Sequence, residues 1–244
     1  MTIYNKNRPQ TIQTLFNSIA KRYDRTNDVM SFCLHRRWNR ELIRRVQTHH
    51  TPHKFIDLCA GTGDIAFHYL KRTPTPCKAY LVDFSSEMLA CAKDKAQSLA
   101  FPQHQLEYIV ADVQCLPFEN QTMNCATMAY GIRNVHHPVQ CIQEVYRILK
   151  PGGCFGILEL TRPNNRFLRF GHQIYLKTVL PLLGKWLTQN EDAYQYLHQS
   201  IHTFIAPALL EEYLKESGFI KTEQYSLAGG IATIITGFKP IHSG

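Results

Sequence analysis

Short apolar runs alternate with stretches of helical spacing along most of the chain. The runs cover residues 55–58, 78–83, 106–110, 124–129 and 154–160, and they break at glycines or at an acid. Runs of this length between turn residues read as strands buried on both faces of a parallel sheet. Between them Ile65, Ala66, Tyr69 and Leu70, then residues 85–89, then residues 139–149 carry the helical period. A further helix over residues 209–217 is closed by Gly218, and two last strands, 220–227 and 231–238, meet at Ala228-Gly229-Gly230. This order predicts an open α/β sheet in which the final hairpin adds one antiparallel strand to parallel neighbours.

Two segments stand outside that alternation. Ahead of the sheet, Ile12, Leu15, Phe16, Ile19 and Ala20 recur at helical spacing, Tyr23 to Asn27 form a polar break, and Trp38, Leu42, Ile43 and Val46 resume. Residues 1–50 are therefore an N-terminal helical unit, either a cap on the sheet or a lid whose Tyr23, Asn27 and His35 face a substrate. Residues 161–207 mix apolar and basic side chains, among them Arg162, Arg166, Phe167, Arg169, Phe170 and Trp186. They form a helical insertion that packs on the body, roofs an apolar channel or lies on a membrane. The core then spans residues 51–160, and residues 208–244 complete its sheet.

The first strand opens through Cys59-Ala60-Gly61-Thr62-Gly63-Asp64 onto a helix, the βα turn at which open α/β sheets hold nucleotides. The loop has no third glycine, and Asp64 stands where a pyrophosphate would approach the helix N-terminus. A carboxylate there repels phosphate and suits a cationic ammonium and sulfonium cofactor, which favours S-adenosylmethionine over a dinucleotide. Asp83 ends the second strand about twenty residues on, at the spacing of a carboxylate that binds a ribose diol. Asp112 can accept from an adenine amino group while Val113 covers the ring. Beyond the fourth strand lies a polar cluster running from Tyr130 to His137, on the side of the sheet where the second substrate meets the first.

Bulk properties narrow the partners. The chain has 244 residues, 44% of them hydrophobic, and a formal charge of +8 that favours anionic partners. No apolar run reaches the length of a membrane span, and the start carries no signal-peptide core. The eight cysteines form no CxxC pair, consistent with reduced thiols in the cytoplasm.

Several motifs together are specific. They are Phe16-x-x-Ile19-Ala20-x-x-Tyr23-Asp24-x-x-Asn27, His35-Arg36-x-Trp38, Asp57-x-x-x-Gly61-Thr62-Gly63-Asp64, Leu116-Pro117-Phe118, Gly131-Ile132-Arg133-Asn134-Val135, Leu158-Glu159, and Tyr194-x-Tyr196-Leu197-x-x-Ser200-Ile201. In these the chain resembles the C-methyltransferases of ubiquinone and menaquinone biosynthesis. The resemblance implies a class I methyltransferase fold with a seven-stranded, mostly parallel sheet. It implies S-adenosylmethionine as cofactor and S-adenosylhomocysteine as product, without a metal. It places cofactor contacts on Thr62, Asp83, Asp112, Val113 and Ala129, to which Asp57, Gly61 and Gly63 of the strand and loop are added as candidates; the candidate substrate contacts are Tyr23, Asn27 and His35 of the lid, with Tyr194. The chain departs from the family pattern at Leu160-Thr161, at Phe204-Ile205-Ala206-Pro207 and at Thr233-Ile234-Ile235, where the family tends to carry a histidine.

No cysteine nucleophile lies in the loop after strand four, so the acceptor must bring its own nucleophilicity. A hydroquinol does so once a phenolic proton leaves. Arg133 is then the group that stabilises the phenolate, Asn134 binds the second ring oxygen, and His136 or His137 is a candidate proton relay. The implied partners are a lipid quinol and the anionic inner face of a membrane, with peripheral attachment, a homodimer or a quinone-biosynthesis complex, and no nucleic acid. The competing readings are an RNA methyltransferase, suggested by basicity, and a quinone-holding subunit without activity.

Overall fold

The structure, a computed structural model, describes residues 7–47, 54–179 and 191–241, with side chains of the last segment described from Tyr196 onward. Its sheet has seven strands in the order β3-β2-β1-β4-β5-β7-β6. These are β1 (Lys54–Leu58), β2 (Lys78–Asp83), β3 (Gln105–Val110), β4 (Met123–Ala129), β5 (Leu149–Leu160), β6 (Ile220–Leu227) and β7 (Ala232–Phe238). β7 runs antiparallel to β5 and β6, and the other pairings are parallel. The order reverses at β1 and β4, so a crevice opens beyond their carboxyl ends.

Side-chain alternation buries both faces. Ile56, Leu58, Val82, Met128 and Phe155 point to one side, under α6 (Pro138–Ile148) and α9 (Pro207–Glu216). Phe55, Ala79, Leu81 and Leu158 point to the other, under α3 (Leu34–Val46), α4 (Asp64–Lys71) and α5 (Ser86–Leu99). β5 begins earlier than the Lys150-Pro151-Gly152-Gly153 stop suggests. Leu149 already pairs with Met123 across a bulge, and Gly152 at φ 76° donates its N–H to the carbonyl of Lys239.

The N-terminal unit divides between its two expected roles. α3 is the cap: it lies so close to β5 that a Cβ at Gly156 would stand 2.4 Å from Val46 Cγ1 and 2.9 Å from Leu42 Cδ1. Gly156→Ala therefore overpacks this contact and lowers stability by about 1–3 kcal/mol, seen as a lower urea midpoint; an unchanged midpoint would mean α3 does not bear on β5. α1 (Pro9–Ile19) and α2 (Tyr23–Met30) instead reach over the crevice. The polar stretch Tyr23 to Asn27 is not a break but the first turns of α2, after a single 3₁₀ turn at Ala20–Arg22. Its polar residues are helical because their partners are tertiary, as the site shows.

The insertion begins with α7 (Arg166–Ile174), capped by Asn165, whose side-chain oxygen accepts from the N–H groups of Phe167 and Leu168. A π-helical turn (Tyr175–Val179) follows, and α8 (Glu191–Thr203) returns to the body. Ile12 and Leu15 of α1 pack with Leu176, Tyr196 and Ile201, which roofs the crevice with both unusual segments. Trp186 and the neighbouring insertion residues 180–190 lie outside the described residues.

Candidate active site

The carboxyl edge of β1 and β4 is built from backbone that side chains rarely adopt. Cys59 (φ 52°) and Tyr130 (φ 58°) are left-handed, as are Gly61 and Gly63. Such strain persists only where surrounding contacts hold it, typically at sites of function. The two strand ends also touch: a Cβ at Gly131 would lie 2.5 Å from Cys59 Cβ. Asp57 fastens the glycine loop from below. It accepts from Thr127 Oγ1 at 2.8 Å and from the Ala66 N–H at 3.2 Å, and burial pushes its carboxyl up to about 7.

A first cavity opens on this edge, lined by Gly61, Asp83, Asp112, Val113 and Ala129 together with Phe84 and Met88. Asp83 is the buried charge in it. Its Oδ2 accepts from the Gly61 N–H at 2.8 Å and its Oδ1 from the Ser85 N–H at 2.9 Å. Each oxygen has a lone pair remaining, and burial raises the carboxyl to about 6, so it is ionised at neutral pH. Apolar side chains beside a carboxylate with free acceptor capacity fit the nucleoside of S-adenosylmethionine. Asp112 is exposed and already accepts from the Gln114 side chain at 3.0 Å.

A second, more apolar cavity adjoins the first through Phe16, Tyr23 and Tyr130, which line both. Its wall includes Asn27, His35, Trp38, Leu160 and Leu176, and Arg133 supplies its cation. Arg133 is buried and paired with Glu159, whose carboxylate also accepts from the Arg133 and Leu160 N–H groups. Burial alone would lower the guanidinium pKa, but Glu159, with Tyr23 and Tyr196, outweighs it and holds Arg133 protonated. Burial raises the Glu159 carboxyl, and Arg133 opposes that rise. The Arg133 Nε–H is buried with no hydrogen-bond partner, an orphan donor of the kind a ligand oxygen satisfies.

Asn134 does not face the second cavity. It lines the first, donates to the Tyr130 carbonyl at 3.4 Å and accepts from the Tyr196 hydroxyl at 2.7 Å, so it positions Tyr196 across the boundary. Asn27 hydrogen-bonds the Tyr23 phenol, whose pKa burial raises. His35 sits between the second cavity and a surface recess lined by Asp24, Asp28 and Asp64 and by Arg36, Lys71 and Lys95. Ser31 gives its hydroxyl proton to the Asn27 carbonyl at 2.7 Å, so His35 Nδ1 at 2.6 Å donates to Ser31 and Nε2, 3.8 Å from Asp28, keeps its lone pair. Burial holds the His35 pKa below the ordinary imidazole value, which leaves it neutral.

Three groups of candidate residues lie away from the cavity that the sequence reading assigns them to. Asp64 does not line the donor cavity, because Lys95 pairs with it and, at 2.7 Å, with Asp24. Thr62 likewise donates to Asp24, and neither Thr62 nor Gly63 reaches the cavity wall. The loop is thus tied to α2, directly through Thr62 and by way of Lys95 through Asp64. His136 lies along the first cavity and His137 is exposed, and neither lines the second cavity. The Tyr194 side chain lies outside the described residues.

A model of the ubiE/COQ5 methyltransferase family matches residues 2–239. The chain belongs to that family. It is an S-adenosylmethionine-dependent methyltransferase. It is 71% identical over 241 residues to the demethylmenaquinone methyltransferase of Protochlamydia amoebophila, covering 99% of this chain and 100% of that one. The demethylmenaquinone methyltransferase of Chlamydia trachomatis serovar D is 40% identical over 93% of this chain and 96% of its own. Among solved structures, a putative methyltransferase in complex with the Trm112 activator of Haloferax volcanii has a TM-score of 0.65 at 17% identity, covering 92% of this chain and 97% of that chain. The last likeness is one of fold.

For this methyltransferase, sequence reasoning singled out Arg133 without its partner. Glu159 ends a buried apolar strand as Asp83 does, and that shared signal could have found it. Phe16, Tyr130 and Tyr196 carry no such mark, since an aromatic residue facing a cavity and one facing a core look alike in sequence.

Proposed function

We propose that the chain methylates a ring carbon of demethylmenaquinol, a polyprenylated naphthoquinol, in menaquinone biosynthesis. One observation carries this reading: an apolar cavity holding a single buried guanidinium with a free Nε–H abuts the donor cavity through Phe16, Tyr23 and Tyr130. The family and the names of the relatives support it.

Gly61, Asp83, Val113 and Ala129 hold the donor, and when bound S-adenosylmethionine supplies an electrophilic methyl on sulfonium. The chain's own residues do the rest. Tyr23 and Tyr130 at the shared wall orient the acceptor ring toward the donor side, which replaces a bimolecular encounter with a fixed approach. The Arg133 Nε–H donates to a ring oxygen and favours its phenolate, which makes the ortho carbon nucleophilic. Arg133 cannot take the proton. The phenolic proton passes to neutral His35, which hands it to solvent through the surface recess with Asp28 steadying the imidazolium; after methyl transfer the proton on the methylated ring carbon moves to the oxygen and restores the quinol, so one proton leaves per turnover. The apolar walls exclude water and accommodate the prenyl tail. Reaching such a substrate calls for peripheral attachment to an anionic membrane, which the formal charge of +8 favours; no helix among the described residues is long and apolar enough to cross one.

The test is incubation with methyl-labelled donor and a choice of reduced demethylnaphthoquinone, a reduced benzoquinone or bulk RNA. Label in the extracted naphthoquinone is the expected result; label confined to RNA, or in no acceptor, overturns the reading.

A further inference from the structure

α7 is an amphipathic helix with no buried residue. Its anchoring contact is Leu168, which presses on the turn at Gly229, where an added Cβ would meet Leu168 Cδ1 at 2.5 Å. The opposite face carries Phe167, Phe170 and Ile174 at helical spacing, and they are 88%, 66% and 46% exposed. Leaving two phenyl rings in water forfeits the largest apolar stabilisation available to any side chain here, which in a folded chain marks a surface awaiting a partner.

The patch does not stand alone. Ile174 adjoins Tyr175, whose ring touches that of Phe32 at 6.2 Å between centroids and whose hydroxyl donates to the Met30 carbonyl. Phe32 is itself 70% exposed, held out by two successive left-handed residues, Phe32 and Cys33. Tyr175, Met30 and His172 line the acceptor cavity, so exposed aromatics and cavity wall are continuous. Charge selects the partner. Residues 160–179 contain Arg162, Arg166, Arg169 and Lys177 and no Asp or Glu, a one-signed segment in a chain of formal charge +8.

From these observations we propose that the outer face of α7, with Phe32, inserts into the headgroup layer of an anionic lipid bilayer and opens the acceptor cavity directly to it. The proposal rests on the quinol reading above and names the surface through which a lipid acceptor arrives. Aromatic rings buried at the acyl boundary with flanking arginines over anionic headgroups are the arrangement by which interfacial helices bind. The cations beside Phe167 and Phe170 have no acidic neighbour in sequence, and Asp28, near Phe32, is paired with Arg36, so the face suits an anionic surface better than a protein groove or a second copy.

The test uses the full chain and Phe167→Ser/Phe170→Ser, neither of which lines the donor or the acceptor cavity. Two readouts are taken: sedimentation with phosphatidylcholine vesicles with and without phosphatidylglycerol, and methyl transfer to a tail-less soluble demethylnaphthoquinol and to a long-tailed one in vesicles. Wild-type protein is expected to bind the anionic vesicles more tightly, and less so as salt rises. The variant loses at least about tenfold in vesicle binding and in turnover of the embedded acceptor, and keeps its turnover of the soluble one. Unchanged vesicle binding by the variant overturns the proposal, as does a wild-type dimer that the variant converts to monomer. Failure of wild-type protein on the soluble acceptor overturns the quinol reading instead.

Discussion

Arg133→Ala is expected to lower methyl transfer by about 10²–10³-fold, the range for removing one donor aimed at developing negative charge, while S-adenosylhomocysteine binding changes by less than about threefold. The split follows from position: Arg133 lines the acceptor cavity and not the donor cavity. The variant has a second consequence, because Glu159 is left without its counter-ion in a buried site. Breaking one side of a buried pair costs about 3–5 kcal/mol, so the single variant is destabilised as well as slow. Arg133→Ala/Glu159→Gln separates the two effects. Stability returns with a neutral partner, and the rate stays low because the donor is still missing. If the double variant regains turnover, Arg133 serves only to neutralise Glu159 and the phenolate role fails.

Asp83→Ala is expected to weaken S-adenosylhomocysteine binding by about 10–100-fold, the worth of hydrogen bonds to a charged acceptor, with the Michaelis constant for the acceptor unchanged. The pH dependence gives an independent check. Burial raises Asp83 from 3.8 to about 6. A carboxyl whose folded pKa is raised stabilises the fold below the unfolded value, and that stability is lost as pH rises through the folded one. Above pH ~6 the ionised, buried Asp83 therefore costs about 3 kcal/mol, taking ~1.4 kcal/mol per pKa unit. The alanine variant carries no such cost but leaves the Gly61 and Ser85 N–H groups unpaired at every pH. Relative to wild type, its stability should rise between pH ~4 and pH ~6 and level off above that, by the shift in urea midpoint. Donor affinity of the wild type should fall as pH drops through ~6 and Asp83 takes up a proton. A stability difference that is flat with pH would show Asp83 to be ordinarily solvated.

The sheet was legible because its signals are local. Apolar runs at β1, β2 and β4 are too short and too continuous for anything but buried parallel strands, and Ala228-Gly229-Gly230 marks the final turn. The site was legible only in part. Asp83, Gly61 and Arg133 announce themselves as charge or glycine at strand ends. Asp64 misled because the sequence shows a carboxylate at a helix start but not Lys95, which reaches it from α5. Tyr23 to Asn27 read as a break because their partners, Thr62, Lys95 and the cavity, are distant in sequence. The exposed face of α7 could not be told from a packed helix, since periodicity shows that a face is apolar and not what covers it.

The central claim is that donor and acceptor occupy adjoining cavities that share Phe16, Tyr23 and Tyr130. It is tested most directly by a crystal structure with S-adenosylhomocysteine and a short-tailed demethylnaphthoquinone bound together. The account predicts ribose hydroxyls on Asp83 and a quinone oxygen within hydrogen-bond distance of Arg133 Nε, with the ring facing the sulfur across Tyr23. A quinone bound away from Arg133, or a nucleoside lying in the cavity beside Trp38 and Leu176, would contradict it.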